Sequence, residues 1–480
     1  MVLQITRTLK KAAFVSISAF TLASCTTMNV DGALRNVNAL VAERTNKTVN
    51  WRRDAVSQKK ADYTVRQLLS QPLTIDGAIQ IAFLRNPSIQ TNLSNIGIAE
   101  ADVAQAGRMR NPVISIQRLA AGGILDIERQ ILFNLLSLFT IGSRTEIAKD
   151  AAERARYMSA LSIVKSADGV RRAWIEAVTA RESLRIMKRA YTSVKVAENL
   201  GMRMAAAGSM PPINQAKLKI AKAEVAGQLG TMRVAASMSR ERLIRQLGVW
   251  GKETKFALPS RLPRLAKRPR VLRNIERTAL TKRLDILAAR KEITLQQKTI
   301  GLTKFTGLVN LLEISGYANK EREVDGADVT KTRLKGFEVE FAIPIFDPGD
   351  VKVSRAKYVY MQSVEQLKSL AINARSEVRE AYSGYRGAYD LARHYQRTIV
   401  PLNKTITDEE LLRYNGMLTG ILQLLDATRQ KQTALLKTLN ARRDFWLADA
   451  QLNFVLFAGS SSGAAMKVEM ADAGASNKEH

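Results

Sequence analysis

From residue 334 to 346 apolar and polar positions alternate. Phe337, Val339, Phe341, Ile343 and Ile345 fall on one side, and Gly336, Glu338, Glu340, Ala342 and Pro344 on the other. A period of two predicts a β-strand with one apolar and one polar face. Such a strand fits a membrane β-barrel, with lipid outside and water inside. It also fits a half-buried strand of a soluble sheet. Runs of β-type residues predict three more strands, near 112–119, 127–139 and 308–317. The stretches 120–126 and 319–332 then read as loops closing two hairpins, 112–139 and 308–346.

Elsewhere the period is helical. Gly142 and Gly208 are 66 residues apart, and Gly349 and Gly416 are 67 apart. Both intervals are rich in Ala, Leu, Glu, Lys and Arg, with Pro401 the one proline between them. Helices of that length rise roughly 100 Å and must lie along partners as a coiled coil or helical barrel. Beyond Gly416, Ile421, Leu424, Leu425, Thr428 and Gln432 step by three or four, continued by Leu435, Leu436 and Leu439. This predicts helical hairpins with tips near 208 and 416, where Gly208 and Gly416 permit tight turns. The first returning helix breaks over 248–270, which holds three prolines and two glycines, and helix resumes over about 271–306. Residues 74–110 read as the matching helix of the second half, with an N-cap at Thr74–Asp76.

The motifs recur in order, which predicts two internal repeats. The expected organisation is 1–24 signal peptide, 25–72 linker, 73–248 first repeat, 249–270 equatorial insert, 271–458 second repeat and 459–480 tail. Four strands cannot close a barrel, for which about eight are the minimum. Three chains would supply twelve. The expected fold is therefore an α+β membrane protein. It combines a long α-helical coiled-coil barrel with a trimeric twelve-stranded outer-membrane β-barrel.

Charge changes the picture little. The 480 residues carry 74 Lys+Arg against 44 Asp+Glu, a net charge of +30. The bases are spread along the chain and no nucleic-acid motif accompanies them, so a solvated basic surface touching anionic lipid headgroups is the reading, without nucleic acid. The one cysteine, Cys25, changes it more. Arg7, Lys10 and Lys11 precede an apolar run at 12–23, the pattern of a secretory signal peptide, and Leu22-Ala23-Ser24-Cys25 resembles a bacterial lipobox. Cys25 is thus the expected site of a covalent lipid such as palmitate, and Thr26 by the same resemblance favours the outer membrane. With two histidines, His394 and His480, there is no nucleophile–His–acid set, metal cluster or phosphate loop. Neither an enzyme nor a cofactor is expected. Met202, Met204, Met210 and Met417 near the tips read as packing rather than a soft-metal path.

Taken in order, several motifs carry a family resemblance. They are Leu73-Thr74-Ile75-Asp76-Gly77-Ala78-Ile79 with Asn86-Pro87-Ser88, Pro112-Val113-Ile114-Ser115, Pro344-Ile345-Phe346-Asp347-Pro348-Gly349, and Tyr414-Asn415-Gly416 with Leu424-Leu425-Asp426-Ala427. Over residues 73–458 the chain resembles the TolC-like outer membrane efflux proteins of the lipoprotein type. The resemblance implies a homotrimeric exit duct whose tips dock with a periplasmic adaptor and an inner-membrane pump. It implies a pore aperture at Gln423 and Asp426, and adaptor contacts at the tips, at Gly208, Ser209, Tyr414, Gly416, Met417 and Thr419; the alternation of the fourth strand already places Glu338 and Glu340 on the face toward the lumen. Asp426 also reads as a solvated helix charge or a partner of Arg429 at i+3, and Tyr414 as a packing residue. Where members often carry two acidic rings, Gln423 leaves Asp426 alone, and Thr419 stands where some carry a latching arginine. The competing readings are a periplasmic coiled-coil adaptor lipoprotein and a basic coiled-coil scaffold binding nucleic acid or peptidoglycan.

Overall fold

The computed structural model describes residues 28–122, 124–325 and 328–460. The signal segment, Cys25, residues 461–480 and His480 lie outside the described residues. The chain divides into two compact units: 1–170, 244–258 and 284–372 form one, and 171–243, 259–283 and 373–480 the other.

The first unit opens with two helices where a linker was expected. Helix α1 (Val30–Thr45) starts on Asn29, whose side chain accepts from the Gly32 amide, and ends on Asn46 in the left-handed region. Helix α2 (Ala55–Leu69) starts on a reciprocal cap between Asp54 and Ser57. Val37 and Val41 of α1, and Ala61 and Val65 of α2, are buried one turn apart. Trp51, between the helices, seats its ring over Gly97, where a Cβ would lie 2.9 Å from the ring edge. These apolar stripes are narrow and the surrounding residues polar, which is why the segment reads as a linker.

Helices α3 (Ile75–Arg85) and α4 (Pro87–Ala106) replace the single helix expected over 74–110. Asn86 turns extended before Pro87, which cannot continue a helix but suits the first position of a new one. The Thr74 side chain caps α3 by accepting from Gly77 at 3.1 Å. Strands β1 (Val113–Ala121) and β2 (Ile124–Asn134) follow, then helix α5 (Leu135–Ala206), unbroken for 72 residues. The second strand, expected to run to 139, stops at Asn134: its Oδ1 accepts from the Ser137 amide at 2.8 Å and starts the helix, so 135–139 are helical despite their β-type composition.

Helix α6 (Pro212–Leu247) returns to Gly248, whose φ of 71° and close approach to the Asn86 backbone exclude a side chain. Helix α7 (Ile275–Lys282) belongs to the second unit and α8 (Leu284–Leu308) to the first. The expected helix over 271–306 therefore starts later and breaks at Arg283, which is extended, buried and paired with Glu377 at 2.8 Å. Strands β3 (Leu312–Asp325) and β4 (Asp328–Phe341) make the second hairpin. Ile343 and Ile345, expected in the fourth strand, lie beyond its end.

Ion pairs absorb part of the basic excess in this unit. Arg156 meets Glu100 at 2.5 Å, Arg154 meets Glu292 at 2.8 Å, Lys291 meets Glu153 at 2.7 Å, and Lys298 meets Asp150 at 2.6 Å. The hydrogen bond to Glu153 raises the pKa of Lys291, and that to Asp150 raises Lys298.

Helix α9 (Asp350–His394) passes into α10 (Val400–Asn415) through a π turn at Tyr395–Ile399. Pro401 has no amide hydrogen to continue the regular ladder, and the wider turn absorbs the mismatch. Helix α11 (Ile421–Phe457) completes the chain's described helices. In the second unit, Tyr385, Tyr389, Phe445 and Leu452 build one buried cluster. The insert is fixed to it. The Tyr389 hydroxyl donates to the carbonyls of Ala266 and Lys267, Trp446 Nε1 donates to that of Pro263 at 3.2 Å, and the Arg270 amide donates to the Tyr385 hydroxyl at 3.0 Å. These bonds satisfy backbone that prolines keep out of helices.

Candidate functional site

The four strands form one antiparallel sheet in the order β1-β2-β3-β4. Opposite residues share a face, so the register sorts every side chain. In the half nearest the helices, one face stacks Leu312 with Phe341, then Phe133 with Ile314 and Val339, then Ile114 with Ile131, Gly316 and Phe337. Phe337 is 76% exposed, Phe341 62% and Ile114 66%, so within one chain this apolar face is uncovered. No helix among the described residues is long and apolar enough to cross a membrane.

The opposite face is polar. Glu338 lies opposite Ser315, and Glu340 opposite Glu313, which accepts from Asn134 Nδ2 at 2.9 Å. Farther along, Asp126 lies opposite Glu321, with Glu128, Glu323 and Asp328 at other positions of the same parity. No lysine or arginine of the described strands shares this face. The alternation in β4 alone marks Glu338 and Glu340; Glu313, Asp126, Glu128, Glu321, Glu323 and Asp328 join that face only once the strands are paired. The strands run on through 318–325 and 328–335, which were expected to be mostly loop. The signal was the alternation of sign in Lys320-Glu321-Arg322-Glu323, which is the period-two pattern written in charge. Tyr317 steadies β3 on β4 by laying its ring over Gly336, its direct partner, where a Cβ would meet the ring at 2.5 Å.

In the second unit the two hairpin tips are built differently. The first turns on Gly208, with φ at 72°, while the Ser209 amide and hydroxyl both donate to the Met204 carbonyl at 2.9 Å. In the second, Gly416 keeps an ordinary φ of −80° and donates to Leu412 at 2.9 Å. The left-handed residue is Met417, with φ at 56°, and the Leu418 amide closes the turn on Arg413 at 2.8 Å. Gly416 is thus not the residue that permits this turn. Gly416→Ala is expected to leave the tip's thermal stability unchanged, since its Cβ meets nothing nearer than 3.5 Å. Gly208→Ala costs roughly 1–2 kcal/mol, and Met417→Gly gains up to about 1 kcal/mol, by the left-handed penalty of non-glycine residues.

Beneath the tips, Met187, Val194, Met210 and Leu218 of the first hairpin enclose Ile421 and Leu425 of α11. Met204 packs against the same cluster, so these methionines serve packing. Met202 and Met417 are exposed, and among the described residues no His, Cys, Asp and Glu group could hold a metal. Gly201 allows this approach: a Cβ there would lie 2.2 Å from Leu218. With Ile421 and Leu425 inward, Gln423 and Asp426 are exposed along one stripe of α11. Asp426 accepts from Gln430 at 2.7 Å, and Arg429, the other available partner, instead pairs with Glu224 at 3.0 Å. Tyr414 lines a groove of about 470 Å³ with Val196, Leu200, Leu411 and Leu424, and Thr419 is half-buried in the turn.

Residues 276–456 match the family described as outer membrane efflux protein. By structure the chain is similar to CusC, at TM-score 0.64 and 14% identity, covering 80% of this chain and 92% of that one. The outer membrane protein VceC of Vibrio cholerae gives 0.63 and 14%, covering 80% and 96%. The open-state outer membrane channel MtrE of Neisseria gonorrhoeae gives 0.63 and 16%, covering 80% and 88%. A comparison with curated proteins by sequence finds no match. The exposed apolar strand face, the paired helical hairpins and the matched segment agree: residues 276–456 match the outer membrane efflux protein family, and the chain has the fold of the solved outer-membrane channels.

Proposed function

We propose that three copies of the chain form a passive outer-membrane exit duct. The observation that carries this is the open sheet. Its edge strands β1 and β4 each leave one side unpaired, and its apolar face is uncovered. In lipid, free strand edges cost several kcal/mol per unsatisfied group, so the sheet must close. Three sheets of four strands give twelve, joined β4 to β1, with the apolar face toward lipid. Glu338, Glu340 and the carboxylates beside them then line the lumen.

The helical hairpins form the periplasmic tunnel, and the two repeats supply it six hairpins per trimer. Gly208, Ser209, Tyr414, Gly416, Met417 and Thr419 present the tips to a periplasmic adaptor, which couples the duct to an inner-membrane pump. The pump supplies the energy, since the chain itself is no enzyme and uses no cofactor. Lipid on Cys25 anchors the chain to the outer membrane, after removal of residues 1–24. The exposed stripe of Gln423 and Asp426 forms the aperture, with one carboxylate ring in the trimer. The remaining boundaries at 72, 248, 270 and 458 divide anchor, repeats, insert and tail.

Conductance across a planar bilayer tests this. The purified protein is expected to open cation-preferring pores. Asp426→Lys is expected to reduce that preference, because three charges of the opposite sign would face one axis. Failure to conduct at any voltage would refute the duct, and unchanged selectivity in the variant would remove Asp426 from the aperture.

A further inference from the structure

The half of the sheet nearest the hairpin turns sorts its charges by face. On the face that is apolar nearer the helices, every charged position is basic. Arg118 and Lys320 flank Ile127, and Lys320 lies directly opposite Arg333. One row farther out Arg322 lies opposite Lys331, and one row nearer the helices come Arg129, opposite Ile116, and Lys335, opposite Ala318. The next row inward is Ile114, Ile131, Gly316 and Phe337. The change from apolar to basic therefore falls between adjacent rows, about 7 Å apart.

All seven bases are exposed, and none has an ion-pair partner among the described residues. The carboxylates of the same strands face the other way, through the sheet. Like charges directly opposite each other destabilise a strand pair, whereas opposite charges stabilise it. A surface that only needed water would mix the signs, because mixing relieves the repulsion without loss of solubility. Lys320 with Arg333, and Arg322 with Lys331, forgo that relief. An anion supplied from outside the chain restores it.

We propose that this basic face binds the phosphates of the bisphosphorylated glycolipid in the outer leaflet. The inference rests on the barrel reading, which turns the apolar face to lipid and the hairpin turns away from the periplasm. The basic rows then lie at headgroup level, where long side chains keep their stems on the apolar surface and their charges at the phosphates. Arg118, Arg129, Arg322 and Arg333 offer paired donors that match a phosphate's oxygens, and the lysines add charge. A zwitterionic headgroup carries its own cation and neutralises the patch less well.

The test uses the full-length protein, delipidated in neutral detergent and titrated separately with lipid A, phosphatidylglycerol and phosphatidylethanolamine. Native mass spectrometry reads bound lipid and subunit number together. The comparison protein carries Lys320→Gln, Arg322→Gln, Lys331→Gln and Arg333→Gln. The unaltered trimer is expected to retain lipid A in preference to both phospholipids, and the variant to retain at least about tenfold less. Removing two like-charge pairs is expected to leave the variant's thermal unfolding unchanged or higher, which separates lost binding from lost folding. A trimer that binds no lipid A, binds phosphatidylglycerol as well, or is indifferent to the substitutions overturns this inference and leaves the barrel standing. A monomer in every spectrum overturns the barrel reading and this inference with it.

Discussion

Val339→Arg is expected to abolish assembly in the outer membrane. Val339 sits between Phe337 and Phe341 on the apolar face, opposite Ile314 and half exposed in the single chain. Facing lipid near the middle of the band, an arginine costs about 2–4 kcal/mol per chain, and a trimer carries three. That total is comparable to a whole domain's stability of roughly 5–15 kcal/mol. Glu338→Gln, one residue away, faces the other side and is expected to assemble normally. Membrane fractionation and the trimer's resistance to heat in detergent read both. Normal assembly of the arginine variant would mean that this face meets water.

Gly349→Ala is expected to destabilise the first unit strongly. Gly349 has φ at 79°, and a Cβ would lie 2.6 Å from the Gly307 Cα. Backbone cannot step aside as a side-chain end can. Asp347 Oδ1 also accepts from the Gly349 amide at 3.0 Å, fixing the turn before α9. The left-handed penalty is roughly 1–2 kcal/mol, and the clash brings the total to about 3 kcal/mol or more. Gly142 stands at the corresponding place in the first half. It lies inside α5 with nothing within 4 Å of a Cβ, so Gly142→Ala is expected to be neutral or to gain up to about 1 kcal/mol. Thermal unfolding of the two variants distinguishes the positions; equal melting temperatures would contradict the close approach at Gly349.

The same contrast shows what was legible from residues alone. Aligning Gly142 with Gly349 located two comparable regions, yet the residues differ in conformation because one is helical and the other turns. The helical hairpins were legible because hydrophobic period and glycine spacing agree over long stretches. Strand β4 was legible only in its apolar half. In its charged half both faces are polar, so hydrophobic alternation vanishes and the segment reads as loop until β3 is set beside it. Helices α1 and α2 were hidden because each buries only a few small apolar residues. At the second tip, the glycine drew attention while Met417 adopts the left-handed conformation. That choice depends on which amide closes the turn, and composition does not report it.

The proposed duct requires the chain's four strands to close in threes. The most direct test is the native mass of the full-length protein extracted by detergent from purified outer membranes. One species of three chains is expected, each a little under 53.2 kDa if the proposed signal segment is removed. A monomer, or absence of the protein from the outer-membrane fraction, would leave two strand edges open and contradict it.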